Sequence, residues 1–326
     1  MMIDRATMPP IRQMPLLKVP RPDVWFMSNG IPVYEIDLGT QEIVKLELVF
    51  FAGRPFEQKK LAARATLAML KEGTRNYSPA AIAETMDFYG ATLLCPLHTD
   101  TSVVQLYSLS KHFEKVLPIL AEVVSAPLFP QKELDNFIQR NQQRLQVELT
   151  KNDVLAYRHF TELLFGEDHP YGYNSFPETY AALSRDDLRR HFELNFTTGN
   201  CSVFLSGKIS PHIRELVDEH LGHSLLKGEK REAHISAPNS SPLKTELKKG
   251  DKSQRAIRIG CRTFTRRHED YTGMYVLNTL LGGYFGSRLM TNIREQKGYT
   301  YNIYSSNETI LFDGYFSISS EVGNEF

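Results

Sequence analysis

The chain has 326 residues, more than a single domain usually needs, so two domains are expected. Hydrophobic residues make up 41% and charged residues 23%, the balance of an ordinary globular protein. Lys+Arg and Asp+Glu number 38 each, which excludes a global basic field for nucleic acid or anionic membrane and leaves any binding preference to a local site.

Residues 1–30 are rich in Pro and Met and carry no clear period; the first 23 are assigned to an N-terminal arm. Prolines and charges interrupt the unbroken apolar core that a signal peptide requires. No stretch reaches the ~18–20 apolar residues that span a membrane, so a cytoplasmic location is expected. Cys95, Cys201 and Cys261 are odd in number and form no CxxC pair, which fits free thiols in a reducing compartment and gives no cysteine-based zinc site.

Residues 30–36 and 41–51 read as strands, the second carrying Ile43, Val44, Leu46, Leu48, Val49 and Phe50. A helix is expected over 59–71, ended by Gly73. Ser78-Pro79 is a serine cap followed by proline, and starts a helix that stops at Gly90. Strands over 91–95 and 99–108 are expected to form a hairpin, followed by a helix over 109–125 with a broad apolar face. Two further helices run from Pro130 to about 152 and on to Phe165. A helix over 184–192, a strand over 201–205 and a helix over 211–220 complete a first domain, residues 24–223. Residues 224–242 turn to Lys, Glu, Ser, Pro and Asn and read as a linker. In the second domain, 243–326, a strand over 255–263 and a helix over 270–281 repeat the strand–helix–glycine order of 41–73. The offset is roughly 210 residues, a two-fold duplication.

LGGYFGSRLMTNIREQKGYTYNIYSS, residues 281–306, closely resembles the second-half signature of the insulinase/pitrilysin zinc peptidases, in which Gly-Gly, Ser-Arg-Leu, Ile-Arg-Glu, Gly and Tyr follow in this order. The stretch 70–74, the ELLFGEDHPYG segment at 162–172 and the duplicated layout extend the resemblance over most of the chain. It implies an α+β fold of two duplicated two-layer units, helices on one face of a mostly antiparallel sheet. It also implies elements beyond the last residue of a short second unit.

Catalytic members carry His-x-x-Glu-His on the first-unit helix, two histidines one turn apart facing a metal with a glutamate as general base. Aligned through Met69-Leu70 and Gly73-Thr74, the motif falls on residues 64–68, which read Arg-Ala-Thr-Leu-Ala. Glu148 aligns near the third ligand, and one carboxylate does not make a zinc site. The protein is therefore expected to bind no zinc and to hydrolyse nothing alone. The resemblance places the family's substrate-contacting pair on Arg294 and Tyr301, with Gly298 ending a helix between them and Tyr301 on the strand that follows. Arginine offers a rigid donor fork and tyrosine a hydroxyl for a developing oxyanion.

The resemblance to the two-subunit branch, processing-peptidase-like assemblies included, implies a partner that holds zinc and carries His-x-x-Glu-His. The pair would cleave unfolded peptides, with no part for nucleic acid or membrane. The rival readings are a structural scaffold without catalysis and a stand-alone peptide-binding module. Elsewhere the readings are plain: Gly282, Gly283 and Gly286 as a close backbone passage, His220 and His223 as a solvated helix end, and no convergent set among the ten histidines.

Overall fold

The computed structural model describes Met8 and residues 18–235, 244–248 and 254–325. Most of the arm assigned to 1–23 and the end of the linker assigned to 224–242 lie outside the described residues.

The first sheet takes six strands: β1 Asp23–Phe26, β2 Pro32–Asp37, β3 Ile43–Phe50, β4 Thr92–Leu94, β5 Ser102–Leu109 and β6 Cys201–Gly207, in the order β1-β2-β6-β3-β5-β4. Every pairing is antiparallel except β2 with β6. β3 lies inside the sheet because its alternate residues Val44, Leu46, Leu48 and Phe50 are fully buried, the period of a strand with one face on a core. Leu46 pairs with Leu106 on one side and Leu205 on the other, so one register builds the inner ladder on both flanks. Burying side chains of this size contributes ~1.5–3 kcal/mol each, which is why a one-residue slip would be costly.

Eight helices accompany this sheet: α1 Ala62–Met69, α2 Pro79–Phe88, α3 Phe113–Val123, α4 Gln131–Glu148, α5 Asn152–Phe165, α6 Pro177–Ala181, α7 Arg185–Asn195 and α8 Pro211–Leu221. The start of α2 follows the sequence: Ser78 Oγ accepts from Ala81 N at 3.2 Å, and Pro79 occupies the first turn. α3 presents Phe113, Val116, Leu117 and Leu120 to the core, all fully buried.

Two expectations are corrected. The patternless arm does not extend to residue 30, since Asp23–Phe26 joins the sheet as β1. This strand lies at an edge and is mostly exposed, so it never needed alternation to be stable there. Trp25 holds it in place, donating Nε1–H to Glu35 at 2.9 Å. The described part of the linker is not detached either. Gly199 N donates to Gly228 O at 2.9 Å and His234 N to Pro55 O at 2.8 Å, which lays the segment along the first unit.

The second sheet has three antiparallel strands, β7 Gln254–Thr263, β8 Ile303–Thr309 and β9 Gly314–Gly323, in the order β7-β9-β8, with helix α9 Tyr271–Gly282 against β8. Gly282 permits that approach. A Cβ there would stand 2.5 Å from Ser305 N, so only glycine lets helix and strand meet. The two sheets are joined through α5. Phe165 on that helix packs with Tyr171 and Tyr315, and Asn152 donates to Gln254 O at 2.8 Å. Asp100 ties the join from the other side, accepting from Tyr171 Oη at 2.5 Å and from Leu311 N at 2.8 Å.

Candidate functional site

Two places matter: the α1 face where the metal motif would stand, and the segment that carries Arg294 and Tyr301. On α1 only Arg64 and Ala68 are partly open, while their helix neighbours from Ala62 to Met69 are buried. These two positions are one helical turn apart and share a face. They correspond to the two histidines of the aligned motif. Arg64 lines a cavity of about 470 Å3 that Glu148 of α4 also lines. Ala68 opens on an adjoining cavity of about 450 Å3, which shares Asn141 and Arg144 with the first. Helix packing thus puts the α1 face and Glu148 on the wall of one cavity.

The residues do not fit a zinc ion. A guanidinium and a methyl group stand at the ligand positions and provide no lone pair for a metal. Leu67, at the glutamate position, is 1% exposed in the core. Glu148 has its own partner, Lys151 Nζ at 2.9 Å. No group of three or more His, Cys, Asp or Glu side chains able to hold a metal occurs among the described residues. Two histidines of the first unit serve the core: His169 stacks on Phe165, and His191 Nε2 lies 3.1 Å from Ala52 O.

The start of α1 is held by a half-buried carboxylic acid. Glu57 accepts from Leu61 N at 3.2 Å and Ala63 N at 3.0 Å, satisfying donors at the start of α1, and from Tyr173 Oη at 2.9 Å. Burial pushes its carboxyl up to about 7, against the pull of Tyr173, Arg54 and the two backbone donors. Leu61, the residue before α1, takes a left-handed φ of 73° with its side chain buried. Glu57 and the core together hold it there.

Arg294 lies in a π-helical turn, Met290–Gln296, and Gly298 ends it at φ 67°. Gly298 N donates to Arg294 O at 3.1 Å and Tyr299 N to Ile293 O at 3.2 Å, closing the turn. The Arg294 guanidinium rests over the Phe285 ring, 4.5 Å from its centroid, and makes no salt bridge among the described residues. Tyr301 is 88% exposed and its hydroxyl has no hydrogen bond among the described residues. It precedes β8 by two residues rather than sitting in it, a correction to the expected strand position. The positive φ of Gly298 turns the backbone away from the helix, and the ladder with β9 begins only at Ile303. Without a ladder partner Tyr301 is free to face solvent.

Sequence reading missed the remaining wall of the first cavity, Arg54, Arg144, Arg158 and the tyrosines around them. These come from separate segments and no local spacing connects them.

No helix among the described residues is long and apolar enough to cross a membrane. A family model described as Insulinase (Peptidase family M16) matches residues 35–164, and one described as Peptidase M16 inactive domain matches residues 182–325. The uncharacterized zinc protease YmxG of Bacillus subtilis is 24% identical over 257 residues, 78% of this chain and 62% of the relative. An uncharacterized zinc protease of Mycobacterium leprae is 32% identical over 170 residues, 49% of this chain and 37% of the relative. The protein thus spans less than two thirds of the length of these relatives. A solved M16 inactive domain from Pseudomonas fluorescens superposes with a TM-score of 0.85 at 26% identity, covering 94% of this chain and 75% of that one. With two models of one family matching on either side of residues 165–181, the chain belongs to the insulinase (M16) peptidase family.

Proposed function

We propose that this protein is the non-catalytic subunit of a heterodimeric zinc metallopeptidase, presenting Arg294 and Tyr301 to a zinc ion held by a His-x-x-Glu-His partner, for hydrolysis of unfolded peptides. One observation carries the reading. The α1 face offers no metal ligand, whereas Arg294 and Tyr301 remain accessible and are engaged by no carboxylate among the described residues. An arginine kept only for stability would be expected to pair with a neighbouring acid. This one is stacked on an aromatic ring that itself is 62% exposed, with its donor fork available.

In the paired state Arg294 would orient a substrate carbonyl and the Tyr301 hydroxyl would donate to the oxygen as negative charge develops. Zinc in the partner would supply the polarised water. The scaffold reading draws on a different observation: Tyr275, Val276, Leu277 and Leu280 of α9 are exposed, an apolar face suited to holding an assembly.

The test is peptide hydrolysis by this protein, by a zinc-motif relative, and by the mixture. Activity in the mixture alone is expected, and Arg294→Ala should lower that turnover by ~10²–10³ with the fold intact. A partner fully active by itself, or turnover unchanged by Arg294→Ala, removes the half-site role.

A further inference from the structure

The cavity beside α1 is rich in positive charge at the face where the metal motif of catalytic members would stand. Four guanidinium groups wall it: Arg54 from the turn before α1, Arg64 on α1, Arg144 on α4 and Arg158 on α5. Two are anchored by backbone. Arg54 Nη1 donates to Pro170 O at 3.3 Å and Tyr173 O at 3.4 Å, and Arg158 Nη2 donates to Ser175 O at 2.5 Å. Arg64 and Arg144 make no hydrogen bond or salt bridge among the described residues, so their donors are open to the cavity.

The acids nearby leave two of these arginines without a direct partner. Glu148 is bridged to Lys151, which lies outside the wall. Glu162 sits beside Arg158 and accepts from Asn174 at 3.0 Å. Glu308 lines the wall as well, and Arg54 is offset in part by Glu57, so Arg64 and Arg144 are left with no acid paired to them among the described residues. Burial lowers the Arg158 pKa; Glu162 and Tyr180 pull it back up, and the like charge of Arg54 lowers it further. Like charges gathered at a partly closed cavity repel unless an anion joins them. Tyr180, a residue 3% exposed, lines the same cavity beside Arg158, and its hydroxyl makes no hydrogen bond among the described residues.

We propose that this cavity binds a carboxylate carried by a peptide, either an Asp or Glu side chain or the peptide's own C-terminal carboxylate, gripped by Arg64 and Arg144 with the Tyr180 hydroxyl below. Guanidinium matches carboxylate geometry with two parallel hydrogen bonds. The tyrosine walls (Tyr157, Tyr173 and Tyr315) and the volume suit a few residues of peptide rather than a bare ion. Glu308 in the wall disfavours the higher charge of phosphate. The choice of a peptide as carrier rests on the peptide-handling reading above; the choice of an anion rests on the arginines alone.

The test uses the full-length protein without a partner and three fluorescent hexapeptides measured by anisotropy. One has two glutamates and blocked ends, one is its glutamine counterpart, and one is the glutamine peptide with a free C-terminal carboxylate. The glutamate peptide should bind about tenfold or more tightly than its blocked glutamine counterpart and lose that preference in the Arg64→Gln/Arg144→Gln variant. Those two side chains hold nothing else, so the variant should fold, which circular dichroism checks. Preference for the third peptide alone identifies a peptide terminus as the ligand, preference for the glutamate peptide alone identifies a side chain, and equal preference for the two means that the site accepts either carboxylate. Equal affinity for all three peptides, an undiminished preference in the double variant, or tight binding of inorganic phosphate without peptide competition overturns the proposal. A protein that activates a zinc partner yet shows no glutamate preference loses only this inference. One that prefers glutamate yet supports no hydrolysis loses only the half-site role.

Discussion

Acid should cost this fold stability through His191, and the size follows from how the ring is held. His191 is 3% exposed, its Nε2 lies 3.1 Å from Ala52 O, and its Nδ1 lies 3.2 Å from Asn195 Nδ2. A neutral ring matches both contacts, Nε2–H donating to the carbonyl and Nδ1 accepting from the amide. A proton on Nδ1 would face an amide donor. Turning that amide over would press its oxygen against His191 O, to which the same nitrogen now donates at 2.8 Å. Burial lowers the His191 pKa from 6.5 to about 4, against the pull of Ala52 O.

The sign follows directly. Below pH 6.5 the unfolded state takes up a proton that the folded state refuses, so the His191 contribution is complete above 6.5 and is lost as pH falls toward 4. That displacement is worth about 3 kcal/mol. Glu57 acts in the opposite direction. Its raised pKa stabilises the fold at low pH, and the effect is lost as pH rises from 4.5 through about 7. The residue is only partly buried, so its effect is the smaller, about 1 kcal/mol.

The assay is urea unfolding at pH 7.5 and 4.5 for the wild type and His191→Gln, which keeps a donor for Ala52 O but cannot titrate. The variant is less stable at pH 7.5, and the gap should shrink by about 2–3 kcal/mol at pH 4.5. Using the difference cancels Glu57 and every other carboxylate. A gap of equal size at both pH values refutes the reasoning, because the ring would then titrate alike folded and unfolded.

Gly282→Ala should lower the urea midpoint by the equivalent of ~1–3 kcal/mol, because the new methyl lands on the Ser305 backbone and forces α9 away from β8. An unchanged midpoint would mean that helix and strand separate freely. Arg214→Ala should cost ~1–3 kcal/mol in thermal or urea unfolding. Glu35, 1% exposed, would lose two guanidinium hydrogen bonds at 2.8 and 2.6 Å and keep only Trp25. A variant as stable as wild type would show that solvent replaces the half-exposed arginine fully.

The α2 start was legible because Ser78 and Pro79 act on their own first turn, with no help from distant residues. β3 was legible because every second residue is apolar and one face is buried. α9 and its glycine were found by the repeated strand–helix order, since duplication carries local pattern with it. β1 was missed because an exposed edge strand obeys no alternation. β9, Gly314–Gly323, was missed although Tyr315, Ser317 and Ser319 alternate inward, because its serines gave no apolar period. The place of Tyr301 in a loop was hidden because the length of the β8–β9 ladder depends on the partner strand.

By itself the sequence determined that positions 64, 67 and 68 are Arg, Leu and Ala, side chains that offer a metal no lone pair, since that is a property of the residue and needs no fold. It also determined the helix–glycine–tyrosine order around Arg294, because the motif is contiguous. Tertiary structure alone decided that Arg54, Arg64, Arg144 and Arg158 share one cavity, and that Arg294 rests on Phe285 rather than on an acid. The physical reason is range. Capping, periodicity and ligand chemistry act within a few residues. The electrostatics of a cavity sum over charges that only the packing of α1, α4 and α5 brings within reach of one another.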